Sequence, residues 1–253
     1  MTKSAFSLLE LSIVLVIIGL IAGGITAGSS MIRAAGIRAM LTEFTQYQTA
    51  VHMFHEKYSE LPGDMTTATT FWGEAHATPA TCYTSASIGT ETCNGDGSGN
   101  IDDLTHNHEK FRFWQHLANA ELINGTFNGV AGGGGANNAV FGENTPESKL
   151  SGAGWGVNHT INISINPNFF SGDYNNMMRF GSAHTVDQVN DIFTAEEAWN
   201  IDKKTDDGKP GQGNLVVVNF SNCTDAADST DITADYALSN KEDRCSLAFR
   251  NAF

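Results

Sequence analysis

Positive charge is scarce in this sequence: 14 Lys and Arg stand against 28 Asp and Glu over 253 residues, a net of −14. The shortage is uneven. Residues 1–55 hold Lys3, Arg33 and Arg38 against Glu10 and Glu43, whereas residues 56–253 hold 11 basic and 26 acidic side chains, a net of −15. A region that acidic is a poor partner for nucleic-acid phosphates, whose binding runs on Lys, Arg and counterion release. It suits a medium containing divalent cations. Cysteine is also scarce. None of Cys82, Cys93, Cys223 and Cys245 forms C-x-x-C, which argues against a zinc ribbon or a thioredoxin-type site. G-x-S-x-G and H-E-x-x-H are missing, so no familiar catalytic frame is present and the chain does not read as an enzyme. The glycine run from Val130 to Ala139 lacks G-K-[S/T], so it reads as a flexible linker and not as a phosphate loop. His106, His108 and Glu109 are zinc-type ligands, but i,i+2 spacing at a helix start is a poor frame for that ion.

What the sequence does have is an apolar stretch, Phe6–Gly28, with Glu10 as its one charge. As a helix it is about 35 Å long, enough to cross a bilayer core. Only five residues precede it, MTKSA. A secretory signal puts its small-residue cleavage site after the apolar run; here the small residue, Ala5, comes before it. A cut between Ala5 and Phe6 leaves the hydrophobic segment on the mature chain. The expected organisation is a leader over 1–5, a helix over 6–58 with its membrane half at 6–28, and a globular head over 59–253.

The run Ala5-Phe6-Ser7-Leu8-Leu9-Glu10 resembles the processing motif of type IV pilins and pseudopilins, a small residue followed by F-T/S-L-x-E. Ala5 stands where that family usually has Gly, and Ala27 where it usually has Pro. The resemblance is specific over 1–58 and loose beyond. It implies leader removal by a prepilin peptidase, methylation of Phe6, and a single-pass protein of the inner membrane with a periplasmic head. It further implies contact with an inner-membrane assembly platform and self-association into a helical filament, either a surface pilus or a periplasmic type II secretion pseudopilus. A carboxylate in hydrocarbon is costly without a partner. In such a filament the Phe6 ammonium of one subunit would neutralise Glu10 of its neighbour and set the register; the plainer alternative places Glu10 at the membrane boundary. A different reading of the whole chain is a minor or tip subunit whose head is a ligand-binding adhesin. Charge bias leaves orientation open: Arg33 and Arg38 favour a cytoplasmic C-terminal side, Lys3 and the cysteines the opposite.

An even number of cysteines behind an export segment reads as two disulfides. Cys82–Cys93 with Cys223–Cys245 is the simplest of three connectivities, and four free thiols the alternative. Ile37, Leu41, Phe44, Tyr47, Val51, Phe54 and Tyr58 fall on one helical stripe, so the first helix continues as an amphipathic one to about Tyr58. Pro62-Gly63 ends it, and Asp64 is a candidate N-cap for a short helix through Trp72. Further helices are expected over about 108–123 and from the Thr194–Glu197 capping box to about Lys204. Strands are expected at 157–165, 215–220 and 246–253, with 236–238 a weaker candidate. The resulting expectation is an α+β fold: a long N-terminal helix packed on a small antiparallel sheet with long disulfide-bounded loops.

Two acidic loops are calcium candidates. Asn94, Asp96, Ser98, the Asn100 carbonyl and Asp102 occupy positions 1, 3, 5, 7 and 9 of an EF-hand-like loop with Gly99 at position 6. Thr105 stands at position 12 in place of the bidentate Glu. Downstream, Asp202, Asp206 and Asp207 precede Gly208-Lys209-Pro210-Gly211, a stretch that resembles the D-G-x-P-G-G calcium loop of major pseudopilins. Metal-free turns are the alternative at both places.

Overall fold

The computed structural model describes residues 7–87, 89–102, 109–184, 189–218 and 220–253. One helix, α1 (Leu8–Tyr58), runs unbroken for 51 residues, about 76 Å. Ser7 caps it: its Oγ accepts the Leu9 N–H at 3.1 Å, and the Glu10 carboxylate accepts the Ser7 N–H at 2.8 Å. These bonds satisfy two of the donors that every helix start leaves open. The far end closes on Ser59 in the left-handed region (φ 59°), whose N–H donates to the His55 carbonyl. Gly63 follows at φ 86°; a Cβ there would lie 2.5 Å from the Glu109 carbonyl oxygen, so the turn admits only glycine.

Four antiparallel strands form the sheet: β1 (Ala153–Thr160), β2 (Asn175–Ser182), β3 (Leu215–Val218) and β4 (Ser246–Phe249), in the order β1-β2-β4-β3. The second half of α1 lies on one sheet face. Phe44 stacks on Phe249 with ring centroids 3.9 Å apart, and Tyr47 meets Trp155 and Trp114 edge-on. Trp155, Val157, Phe180, Leu247 and Phe249 are buried beneath it. The opposite sheet face carries a smaller apolar layer of Tyr174, Met177, Val216, Val218 and Ala248. Helices α2 (Ala68–Trp72), α3 (Pro79–Cys82), α4 (Glu109–Asn119), α5 (Ala195–Thr205) and α6 (Phe220–Cys223) pack around this frame. Cys82 bonds Cys93 and Cys223 bonds Cys245, the nearest-neighbour pairing.

The structure departs from the sequence expectations in several places. The buried line of α1 is offset from the expected stripe: Gly36, Met40, Glu43, Ala50, Val51 and Phe54 are its buried residues, with Ile37, Leu41, Phe44 and Tyr47 half-buried beside them. Glu43 therefore sits inside the interface, where its carboxylate accepts bonds from Ser148 Oγ (2.7 Å), the Lys149 N–H (2.9 Å) and Trp155 Nε1 (3.0 Å). β1 begins four residues earlier than expected and stops at Thr160, because Asn162 takes the left-handed region (φ 56°) and breaks the Ile alternation. Ile161 and Ile165 are consequently exposed. The segment at 236–238 forms an isolated bridge, Thr224 to Tyr236, and no strand. The glycine run is folded: Asn144 Nδ2 donates to the Val130 and Asn138 carbonyls, and Asn138 is itself buried. Asp64 does not cap α2, which begins at Ala68.

Candidate functional site

Two regions of the chain leave physical requirements unmet by the fold itself. The first is the N-terminal half of α1. An 18-residue window of mean hydropathy 2.6 has no part buried within the protein. Leu8 through Ile25 present large side chains to the outside at exposures of about half or more. The helix is long and apolar enough to span a membrane. Glu10 is the one charge on its apolar stretch up to Gly28, and its carboxylate is turned back onto the Ser7 N–H. Ala5 and Phe6, the expected processing pair, lie outside the described residues.

The second is a pair of carboxylate clusters. In the first, Asp64, Asp96 and Glu109 bring ligand oxygens within 4.8 Å of one another. The loop after Cys93 wraps its amides around the two buried members. Asp64 accepts N–H bonds from Gly97, Ser98 and Gly99 at 2.7–3.0 Å, and Glu109 accepts those of Asp96 and Asp102 at 3.1 and 3.2 Å. Asn176 on β2 holds the loop to the sheet by accepting the Ile101 N–H and donating to the Gly99 carbonyl. Burial pushes Asp64 up to about 6, although its amide partners pull the other way. Burial likewise pushes Glu109 up to about 8, and the negative charges of Asp64 and Asp96 add to the rise.

The EF-hand-like reading is therefore only partly realised. Asp96 joins the cluster, but Asn94 turns away and accepts the Thr69 N–H at 2.8 Å. Ser98 bonds within the loop to Asn100, and Asp102 contributes its N–H to Glu109. Asp64 and Glu109 come from outside the loop, from the segment after α1 and the start of α4. The sequence offers Asp64 as a cap and Glu109 as part of a histidine run; the signal that could have found them is a carboxylate bordering an apolar segment, a faint one at Glu109 because Lys110 and Arg112 follow it directly. Asp103, Thr105, His106 and His108 lie outside the described residues.

In the second cluster Asp202, Asp206 and Asp207 converge within 4.8 Å at the end of α5. Asp202 is fully buried; it accepts the Tyr236 hydroxyl at 2.7 Å and the Gly208 N–H at 3.1 Å. Burial, then the charges of Asp207 and Asp206, push it up to about 6. Asp206 accepts the Leu215 N–H at 2.9 Å, tying the cluster to β3. Among the described residues both clusters offer oxygen donors alone, a set that suits a hard cation such as calcium better than zinc. No family model matches the chain, and no characterised protein or solved structure is significantly similar to it.

Proposed function

We propose that the chain is a structural subunit of a type IV filament, a pilus or a type II secretion pseudopilus. The observation that carries this reading is the division of one continuous helix. Its first half is apolar, bare and marked by a single carboxylate; its second half is locked into an α+β head by Glu43 and an aromatic layer. A bare apolar half-helix needs another apolar surround, supplied by the inner membrane before assembly and by neighbouring helices after it. The head, stapled by two disulfides, then lies on the periplasmic side. Arg33 is engaged by Glu197, Asp243 and the Ile192 carbonyl of the head, so its charge does not act as a free cytoplasmic anchor.

In this reading the prepilin peptidase cuts before Phe6, the assembly platform extracts the helix, and Glu10 accepts the Phe6 ammonium of the next subunit. Calcium at the two carboxylate clusters is a structural ligand: Asp64, Asp96 and Glu109 would hold one ion and Asp202, Asp206 and Asp207 the other. The role is constructional, not catalytic. Mass spectrometry of the native protein should find Phe6 as the terminus, methylated, in filaments that immunogold labelling shows to contain the head. A terminus beyond Gly28, or filaments free of label, would contradict the reading.

A further inference from the structure

A groove of about 490 Å³ runs between α1 and α5 where the head meets the bare half of the helix. Its apolar lining includes Ala34, Ile37, Leu41 and Ile201, and Arg38 and Lys204 also line it. The two cations are exposed, and among the described residues neither has an ion-pair or side-chain hydrogen-bond partner. The one acid lining the groove, Glu197, is already taken by Arg33 and by the cap of α5. We infer that this groove binds an anionic membrane phospholipid, with the phosphate between Arg38 and Lys204 and the glycerol and upper acyl chain on the apolar floor. The inference rests on the membrane-spanning reading of α1.

Height along the helix argues for lipid. Met31 and Ile32 are 74 % and 75 % exposed, so the bare apolar surface runs to Ile32 and ends at Arg33. Arg38 lies five positions beyond Arg33, about 7.5 Å further up the axis. That is the depth of a headgroup layer, roughly 5–7 Å on each side of the hydrocarbon, and long basic side chains span the remainder. Charge placement agrees. Of the acids beside the groove, Glu197 pairs with Arg33 and Glu196 with Lys241. The Asp202–Asp206–Asp207 cluster, although close to Lys204 along α5, does not line the groove, since Asp202 is turned onto Tyr236 and Asp206 onto the Leu215 N–H. Two unpaired cations over an apolar floor, continuous with the membrane-level surface, match an anionic amphiphile and exceed what a zwitterion asks for.

Native mass spectrometry of the full chain in detergent tests this, with phosphatidylglycerol, phosphatidylcholine or soluble glycerol phosphate titrated in. Phosphatidylglycerol should be retained in preference to phosphatidylcholine, and glycerol phosphate should not displace it. The Arg38→Ala, Lys204→Ala double variant should weaken phosphatidylglycerol about fivefold per cation removed, whereas Arg38→Lys with Lys204→Arg should keep it. Equal retention of both lipids, or an undiminished double-alanine variant, overturns the inference. So does displacement by glycerol phosphate, which would mark a soluble-phosphate site, or a dimer peak in place of lipid adducts, which would mark a second copy as the occupant. Flotation of the full chain with phosphatidylcholine vesicles separates the two claims. A chain that fails to float removes the membrane reading and the groove with it. A chain that floats without preferring phosphatidylglycerol removes the groove alone.

Discussion

Raising the pH in the absence of calcium should destabilise the head, and adding calcium should reverse the loss. Glu109 has a folded value of about 8, well above the ordinary 4.5, because it is buried beside Asp64 and Asp96. Its folded form therefore keeps a proton that the unfolded chain has already released. Stability from this group is fully present below about pH 4.5 and is lost as the pH climbs through 8. Holding Glu109 ionised at pH 8 costs on the order of 4 kcal/mol. Asp64 and Asp202, each pushed to about 6, contribute in the same direction between pH 4 and 6. For a head of this size about 4 kcal/mol corresponds to roughly 10 °C in Tm. A divalent cation removes the repulsion, and binding to the folded state alone adds about 2.7 kcal/mol at one hundred times Kd. The assay is thermal unfolding of the full chain in detergent at pH 5 and pH 8, with chelator or with millimolar calcium. With chelator Tm should fall by roughly 10 °C between the two pH values; calcium should raise it at pH 8 far more than at pH 5. A flat profile in chelator, together with no calcium response at pH 8, would refute the reasoning. Glu109→Gln should remove the part of the fall between about pH 6 and 8, whatever it does to the mean stability, and leave the smaller part that Asp64 and Asp202 contribute nearer pH 6.

Glu43→Ala leaves Trp155 Nε1 and Ser148 Oγ buried without their acceptor, so it should cost about 3–5 kcal/mol and lower Tm by roughly 10 °C. A change under 2 °C would show that the clasp contributes little. Replacing Cys223 and Cys245 together by Ser opens a link with a sequence separation of 22, and should cost about 3 kcal/mol of stability against denaturant. An unchanged denaturation midpoint would count against the bond as a stabiliser.

How legible the molecule is from its sequence depends on where each signal lies. The long helix is written plainly, as an apolar run that passes into a 3.6-residue stripe, and the Thr194–Glu197 cap of α5 forms where its motif stands. The nearest-neighbour disulfides also match the simplest pairing. β2 was not legible: Asn175–Ser182 reads NNMMRFGS, with no alternation, because Met177 and Met178 are both buried, one on each sheet face. β1 has a similar character, buried on both sides through Ala153–Val157, and the alternating isoleucines after it misled by lying beyond its end. Glu43 was hidden because a stripe defined by large apolar residues skips a charged one in its middle. The carboxylate cluster was hidden for a different reason: Asp64, Asp96 and Glu109 belong to three separate segments, and only the fold closes the distance between them.

The central claim, that Glu10 joins neighbouring subunits, is tested most directly by Glu10→Gln. In the isolated chain Glu10 accepts the Ser7 N–H in a capping box, and Gln preserves that acceptor while removing the charge. An alanine would remove both, leaving a frayed helix start and a lost ion pair indistinguishable. The measurement is the fraction of the protein in sheared or secretion-linked filaments against the fraction in the membrane, for wild type and Glu10→Gln side by side. With capping intact and the charge gone, membrane levels and cleavage before Phe6 should be normal, and filament incorporation should be lost or strongly reduced. Incorporation of Glu10→Gln at wild-type efficiency would contradict the account, leaving Glu10 as a helix cap and nothing more.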